Sequence, residues 1–386
     1  MTDANAAPSV IAAGAGAPDN VRAHAARLTR WYTESALPIW WERGADPAGG
    51  FYERLELDGA PAHLPRRLRV QARQTYVYAL AARAGWSGPA QAALAHGLAA
   101  VLVGKAEDGL YGACPRSGAT PDGMGLLYEQ AFVLLALAAA HSRSADAALE
   151  SEALQLLGRL DDFAHPLGGY AEAPGLVAPL FANPNMHLFE AFQAWTATSD
   201  NPLWRERAAS LAELALDHLI DPENDALGER FGADWSRPAA RADRIVWPGH
   251  LYEWAWLLMD WKDADAATLA GAVQLVELAE HTGIDAGGFA IFALDQRLAP
   301  LDRGARLWAQ TERIRACARA AALTGDGALW TAAGQACIAL EAFLDTPTPG
   351  LWRDWRDETG VFREEAAPAS SLYHIAGAIA ELSRLG

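Results

Sequence analysis

Cysteine is scarce: the 386 residues hold three, Cys114, Cys317 and Cys337. They are odd in number and lack metal-ligand spacing, which excludes a disulfide framework and a cysteine-built zinc site, and fits a reducing cytoplasm. Long apolar runs are also missing. The longest, Ala131–Ala140, is well short of the about 20 residues that cross a bilayer. Positive charge is in deficit, with 31 Lys and Arg against 48 Asp and Glu and a net charge of −17. Nucleic acid and anionic membrane are therefore poor partners, and a dianionic phosphosugar is mildly disfavoured. No phosphate-cradling Gly loop and no nucleophile elbow occur. Residues 1–19 are rich in Ala, Gly and Pro without an early Lys or Arg. They read as a disordered tail ahead of one domain over 20–386, and not as a signal peptide.

What is present is a rhythm. Short Gly-aromatic segments recur: GGFYERL from Gly49, GLYGAC from Gly109, GGYAEA from Gly168, LGERFGADW from Leu227, GGFAIFALD from Gly287 and GLWRDWRDETG from Gly350. Their starts lie roughly 60 residues apart, which leaves room for two helices per interval. Helical patterns rich in Ala, Leu, Arg and Glu fill that room. They span 20–43, 66–84, 87–105, 122–142, 147–163 and 184–198, then 201–219, 248–261, 265–282, 304–322, 327–344 and 368–385. Twelve helices in six hairpins suggest an all-α closed ring, an (α/α)6 barrel of six inner and six outer helices. An open solenoid is the alternative, but both terminal helices carry apolar faces where a solenoid needs polar caps.

Every second helix opens with unusual polar or aromatic residues: Arg73, Tyr128, then Asn183 with His187, His250 with Glu253, Trp308 with Gln310 and Glu312, and His374. The even-numbered helices are therefore assigned to the inner ring, with their N-terminal halves facing one mouth. The stretch from Val246 to Trp261 is the sharpest case. Pro248 suits a helix start, and His250 and Glu253 then share a face of a helix that is apolar nearly all round. Burying such a pair is costly unless it is used or paired. Imidazoles suit proton transfer near neutral pH, aromatic walls suit sugar faces, and helix N-termini favour developing negative charge. The remaining seven histidines, His24, His63, His96, His141, His165, His218 and His281, read as structural. Arg73 has a competing structural reading as an ion-pair partner of Glu53 or Glu56. The charged stretch Arg230–Asp243 reads as a lid.

PGHLYEWAWLL, LWAQTE, VQARQ, NPNMHLFEA and YHI together resemble the N-acylglucosamine 2-epimerase superfamily, from about Trp31 to the C-terminus. EWAWLL and LYHI are most similar to its mannose isomerase branch. The resemblance implies an (α/α)6 barrel and aldose–ketose isomerisation of D-mannose and D-fructose, or of D-lyxose and D-xylulose, without metal or cofactor. It implies His250 and His374 as the acid/base pair, with Glu253 orienting His250. It further implies Arg73, Asn183, His187, Glu312, Trp308, Tyr128 and Gln310 as substrate-binding residues. A 2-epimerase of N-acylglucosamine or cellobiose is the alternative on this scaffold, and a glycoside hydrolase using Glu253 and Glu312 is a third reading. Where some relatives place a Gln one turn before the last His, this sequence has Ser370. The partner expected is a monosaccharide, with a monomer or homodimer in the cytoplasm.

Overall fold

The computed structural model describes residues 16–112 and 127–385. The expected tail up to residue 15, Cys114 and the first residues of the fourth expected helix lie outside them. The first outer helix runs through α1 (Asp19–Trp31), a π turn (Tyr32–Ala36) and α2 (Leu37–Glu42). Pro38 explains the wide turn, because its ring lacks the N–H that an α-helical ladder would use. Five helical hairpins follow: α3 (Leu68–Arg83) with α4 (Ala90–Val103), α5 (Leu127–Ser144) with α6 (Ala147–Leu160), α7 (Ala182–Thr196) with α8 (Pro202–Leu214), α9 (Pro248–Asp260) with α10 (Ala266–Thr282), and α11 (Leu307–Thr324) with α12 (Gly327–Leu344). The last helix, α13 (Ser371–Leu385), packs on α3 and on α1. Each of α3, α5, α7, α9, α11 and α13 contacts the next, so the ring closes. A three-stranded sheet seals the seam, with Arg54–Leu55 pairing both with Pro61–Ala62 and with Ala367–Pro368.

The six expected inner helices are inner. From Gln130 to His141 every residue of α5 is buried, and α7, α9 and α11 are buried nearly all round. Large aromatics weld the two rings, as where Trp195 of α7 stacks on Trp204 of α8 with centroids 4.9 Å apart. Such a pair contributes about 0.5–1.5 kcal/mol beyond its buried area. Helix α12 is long and apolar enough to cross a membrane by composition alone, yet it packs as an outer helix on α11 and α1. Helices α11 and α13 begin about three residues later than expected, because Ala305–Arg306 and Ala367–Pro368 are committed to short strands.

Side-chain caps occur on four of the outer helices and not on outer α1 and α4. Outer α6, α8, α10 and α12 are capped by the side chains of Asp146, Asn201, Asp265 and Asp326. Inner α3, α7, α9 and α11 have no side-chain cap. Their starts are held by neighbouring elements instead: the Arg69 N–H donates to Glu129, the Ala182 N–H to the Glu229 carbonyl and the Leu307 N–H to the Asp354 carbonyl.

The Gly-aromatic segments are held by amide clamps. Gln71 accepts from the Phe51 N–H at 2.6 Å and donates to the Phe51 carbonyl at 2.9 Å. Gln130 does the same to Tyr111, Asn185 to Tyr170 and Gln310 to Ala290, all at 2.7–3.0 Å. This close approach explains the glycine before the aromatic residue. Gly50 has φ +74°, and a Cβ there would lie 2.7 Å from Gln71 Oε1.

Candidate active site

The clamps set a register. Two residues beyond each clamp position stand Arg73, Phe132, His187 and Glu312, and the equivalent places of α9 and α13 hold His250 and His374. Three residues further along the same helices come Tyr76, Leu135, Glu190, Arg315, Glu253 and Gly377. Equivalent residues of six radial helices point to one axis. The pit is therefore built from one seat repeated round the ring.

His250 and His374 are both buried and each is held through Nδ1 by a carboxylate. His250 Nδ1 lies 2.8 Å from Glu229 Oε2, and His374 Nδ1 lies 2.7 Å from Glu312 Oε1. An ionised carboxylate only accepts, so Nδ1 carries the proton and Nε2 is left as the basic atom. The Trp308 ring stands between the two imidazoles, 5.1 Å from His250 and 5.9 Å from His374. Gly249 makes room for it, since a Cβ there would sit 2.4 Å from Trp308 Cζ3.

Two expected roles are corrected. Glu253 does not orient His250. One turn along a helix places it deeper, 4.0 Å from His187 Nδ1, whereas Glu229 reaches His250 from the return loop. Pairing of Leu180–Phe181 with Arg230–Phe231 brings that loop in, and the Ala182 N–H donates to the Glu229 carbonyl at 3.1 Å. Gln310 is not free to bind a substrate. Its amide is spent on Ala290 and on the Arg306 carbonyl.

The other expected residues converge. Arg73 Nη2 donates to the Tyr128 hydroxyl at 3.0 Å, and its guanidinium lies 4.1 Å from the Phe132 ring centre and 5.0 Å from that of Tyr373. Glu53 is taken by Arg67, so Arg73 is not its ion-pair partner. Tyr128 and Phe132 pack against the His187 imidazole at 5.2 and 4.5 Å. Asn183, in the first turn of α7, has a buried Oδ1 with no hydrogen-bond partner, and so does Glu229 through Oε1. Arg73 Nε lacks an acceptor in the same way. These atoms stand ready for hydroxyl groups. The carbonyl of Ser370, where the departure from relatives falls, faces Arg73 Nη1 at 3.4 Å. The stretch expected to act as a lid is pinned by Arg237, which donates to the Leu219 and Ala226 carbonyls.

Five residues of the site were not singled out in the sequence: Phe132, Glu190, Glu229, Arg315 and Tyr373. Glu190 accepts from the Tyr373 hydroxyl and lies 3.4 Å from His187 Nδ1. Arg315 donates to Glu312 at 2.7 Å. Glu190 and Arg315 each stand three residues after a polar seat, which is the same signal that drew attention to Glu253.

Burial dominates the electrostatics. It lowers His187 to about 4 and pushes His374 well below the usual imidazole range, with Arg73 and Arg315 adding to the effect on His374. Both are thus neutral imidazoles at physiological pH. Burial, reinforced by Glu312 and Glu190, holds the Glu253 carboxyl well above its ordinary value, which equips it to donate a proton. Glu312 is raised by burial, with Arg315 opposing. One ligating atom each from Glu253, Glu312 and His374 fall within 4.8 Å of one another. That trio is compact enough for a cation by distance, but Glu312 is already shared between His374 and Arg315.

Residues 50–378 match the N-acylglucosamine 2-epimerase (GlcNAc 2-epimerase) family. The chain is 39% identical over 383 residues to a protein of Rhizobium meliloti (strain 1021) named mannose-6-phosphate isomerase, covering 94% of this chain and 97% of that one. It is 32% identical over 339 residues to a D-mannose isomerase of Thermobifida fusca, covering 78% and 82%. A crystal structure of D-mannose isomerase superposes with TM-score 0.83 at 22% identity, over 94% of this chain and 97% of that one. Together with the closed double ring and its histidine-lined pit, these matches place the chain in the N-acylglucosamine 2-epimerase family, as an enzyme that isomerises or epimerises sugars.

Proposed function

We propose that the protein interconverts D-mannose and D-fructose, and D-lyxose and D-xylulose, through a cis-enediolate without a metal. The observation that carries this reading is the pair His250 and His374, each with its Nδ1 proton committed to a carboxylate on either side of Trp308. One imidazole assists ring opening. The other takes the carbon-2 proton of the open-chain aldose through Nε2 and returns it to carbon 1. The carbonyl oxygen gains a proton from a neutral acid, for which Glu253 is suited, and the carbon-2 hydroxyl gives one up, so protons balance. Arg73 and the positive ends of the inner helix dipoles stabilise the enediolate oxygens.

Phosphorylated mannose is a second reading, supported by the name of the 39% identical relative. Against it, Arg67, Arg69 and Arg306 at the inner helix starts are each paired with Glu53, Glu129 and Asp354. Epimerisation at carbon 2, on N-acylglucosamine or cellobiose, needs the same residues and a proton delivered to the opposite face. Proton NMR in heavy water, with a chelator present, separates these readings. Fructose formed from D-mannose with deuterium incorporation is the expected result. Turnover of mannose 6-phosphate alone, or glucose as the first product, would replace the proposal, and loss of activity with the chelator would overturn its metal-free part.

A further inference from the structure

The barrel is also hollow behind the pit. Behind the pit, at the C-terminal ends of the inner helices, lie a cavity of about 480 Å³ and another of about 450 Å³. Tyr76, Leu80, Arg83, Trp256 and Asp260 line both, so the two lie side by side as a rear well. Glu190 borders the first and Arg315 the second. The Glu190–Tyr373 and Glu312–Arg315 pairs therefore link the walls of the well to the catalytic pit.

Its charges are unequally matched. Asp260 is held by Arg319 and Arg384, Asp263 by Arg205, and Glu381 by Arg319 and Arg384. Among the described residues the side chains of Arg83 and Lys262, exposed at the rim of the first cavity, make no ion pair or hydrogen bond. Arg83 sits in the last turn of α3, where a cation complements the helix end even without a ligand. Deeper in, one buried donor has no acceptor: Nε of Arg315, a residue only 2% exposed, whose guanidinium lies 3.6 Å from the centre of the Trp256 ring. In a chain of net charge −17, a recess with a spare buried donor and two spare cations is an exception to the average.

We propose that the rear well is a binding site for a small organic anion, a phosphate ester or compound of similar charge, with the anionic group between Arg83 and Lys262. The volume is that of an ordinary small-molecule pocket, and the walls of Tyr76, Trp256 and Trp261 cover the carbon body. The inner helix C-termini oppose an anion, so the affinity is moderate. Because Arg315 holds Glu312, which holds His374, occupancy of the well reaches the catalytic pit through two hydrogen bonds.

Isothermal titration of the protein with glycerol 3-phosphate and with inorganic phosphate, at constant ionic strength and without sugar, tests the site. Saturable one-to-one binding is expected, weakened at least tenfold in the double variant Arg83→Gln/Lys262→Gln. Ala194→Trp, which fills the well from α7, is a second route to the same loss. Tighter binding of the ester than of phosphate indicates contact with the walls, and equal affinity indicates the anionic group alone; both support the site. Absence of saturable binding, or binding unchanged in the double variant, would each overturn it. Titration requires no turnover, so its outcome is independent of the sugar isomerised.

Discussion

Replacing Glu229 by Gln isolates the role assigned to the return loop. The carboxylate lies 2.8 Å from His250 Nδ1 in a buried setting. The imidazole becomes positive each time it accepts a proton, with its charge centre roughly 4 Å from the carboxylate, an interaction of about 4 kcal/mol at an effective dielectric of 20. Glutamine keeps the shape, but removes that attraction and is able to present its NH₂ group to Nδ1, which selects the wrong tautomer. Part of the loss is recovered by relaxation, so a fall in kcat of about 10²–10³-fold is expected, in the range of general acid–base contributions. Initial rates of ketose formation give the number, and the urea unfolding midpoint shows whether the fold is intact. Nitrogen-15 NMR of His250 in the wild type shows a proton on Nδ1, and in the variant a mixed or reversed tautomer. The reasoning is refuted if Glu229→Gln keeps a third or more of the wild-type kcat, or if Glu253→Gln changes the His250 tautomer instead.

Gln310→Leu is expected to act in the opposite way. It strands the Ala290 N–H and carbonyl and the Arg306 carbonyl, at about 1–3 kcal/mol for each buried group left unpaired. Urea denaturation then shows a lowered midpoint while kcat per folded molecule stays within about threefold; a collapse of kcat without loss of stability would return Gln310 to the substrate. Gly249→Ala drives a Cβ into Trp308 and should lower kcat at least tenfold with little change in melting temperature; unchanged kinetics would show that Trp308 does not define the space between the imidazoles. For pH, His187 is depressed to about 4 when folded against about 6.5 unfolded. The unfolded chain therefore binds the extra proton between these values, and stability present above pH 6.5 is lost as pH falls towards 4. The loss attributable to His187 between pH 7 and pH 5 is about 2 kcal/mol. His187→Asn should flatten urea midpoints over that interval by a corresponding amount, and identical slopes for both proteins would exclude His187 as the source.

The ring was legible in the sequence because each hairpin repeats the same physical signals. A Gly-aromatic loop is followed by an apolar helix, and the next helix carries a narrower apolar face. The seats at Arg73, His187, His250, Glu312 and His374 were legible as polar residues where burial makes them costly. Their partners were harder to read. Glu229 meets His250 across 21 positions, on a loop positioned by strand pairing with Phe181, and no helical spacing encodes that meeting. Gln310 was misread because it shares a helix turn with Glu312, and a clamp and a ligand-binding amide look alike until the loop beneath is seen. Tyr373 gave no signal, since an aromatic next to a histidine on an inner helix is ordinary core.

The repeated seat has a consequence for product selection. His250 and His374 are separated by the place that Glu312 occupies, two steps apart on the ring, and each seat faces the same axis. A sugar turned about that axis by one step would exchange an imidazole for a carboxylate at the same carbon atom. Whether a carbon receives its proton from one side or the other thus becomes a matter of angular placement within a fixed circle of groups. On such a circle, altering Trp308, Tyr128 and Asn183, the residues proposed to hold the sugar, is expected to change which sugar leaves without touching the groups proposed to move the proton.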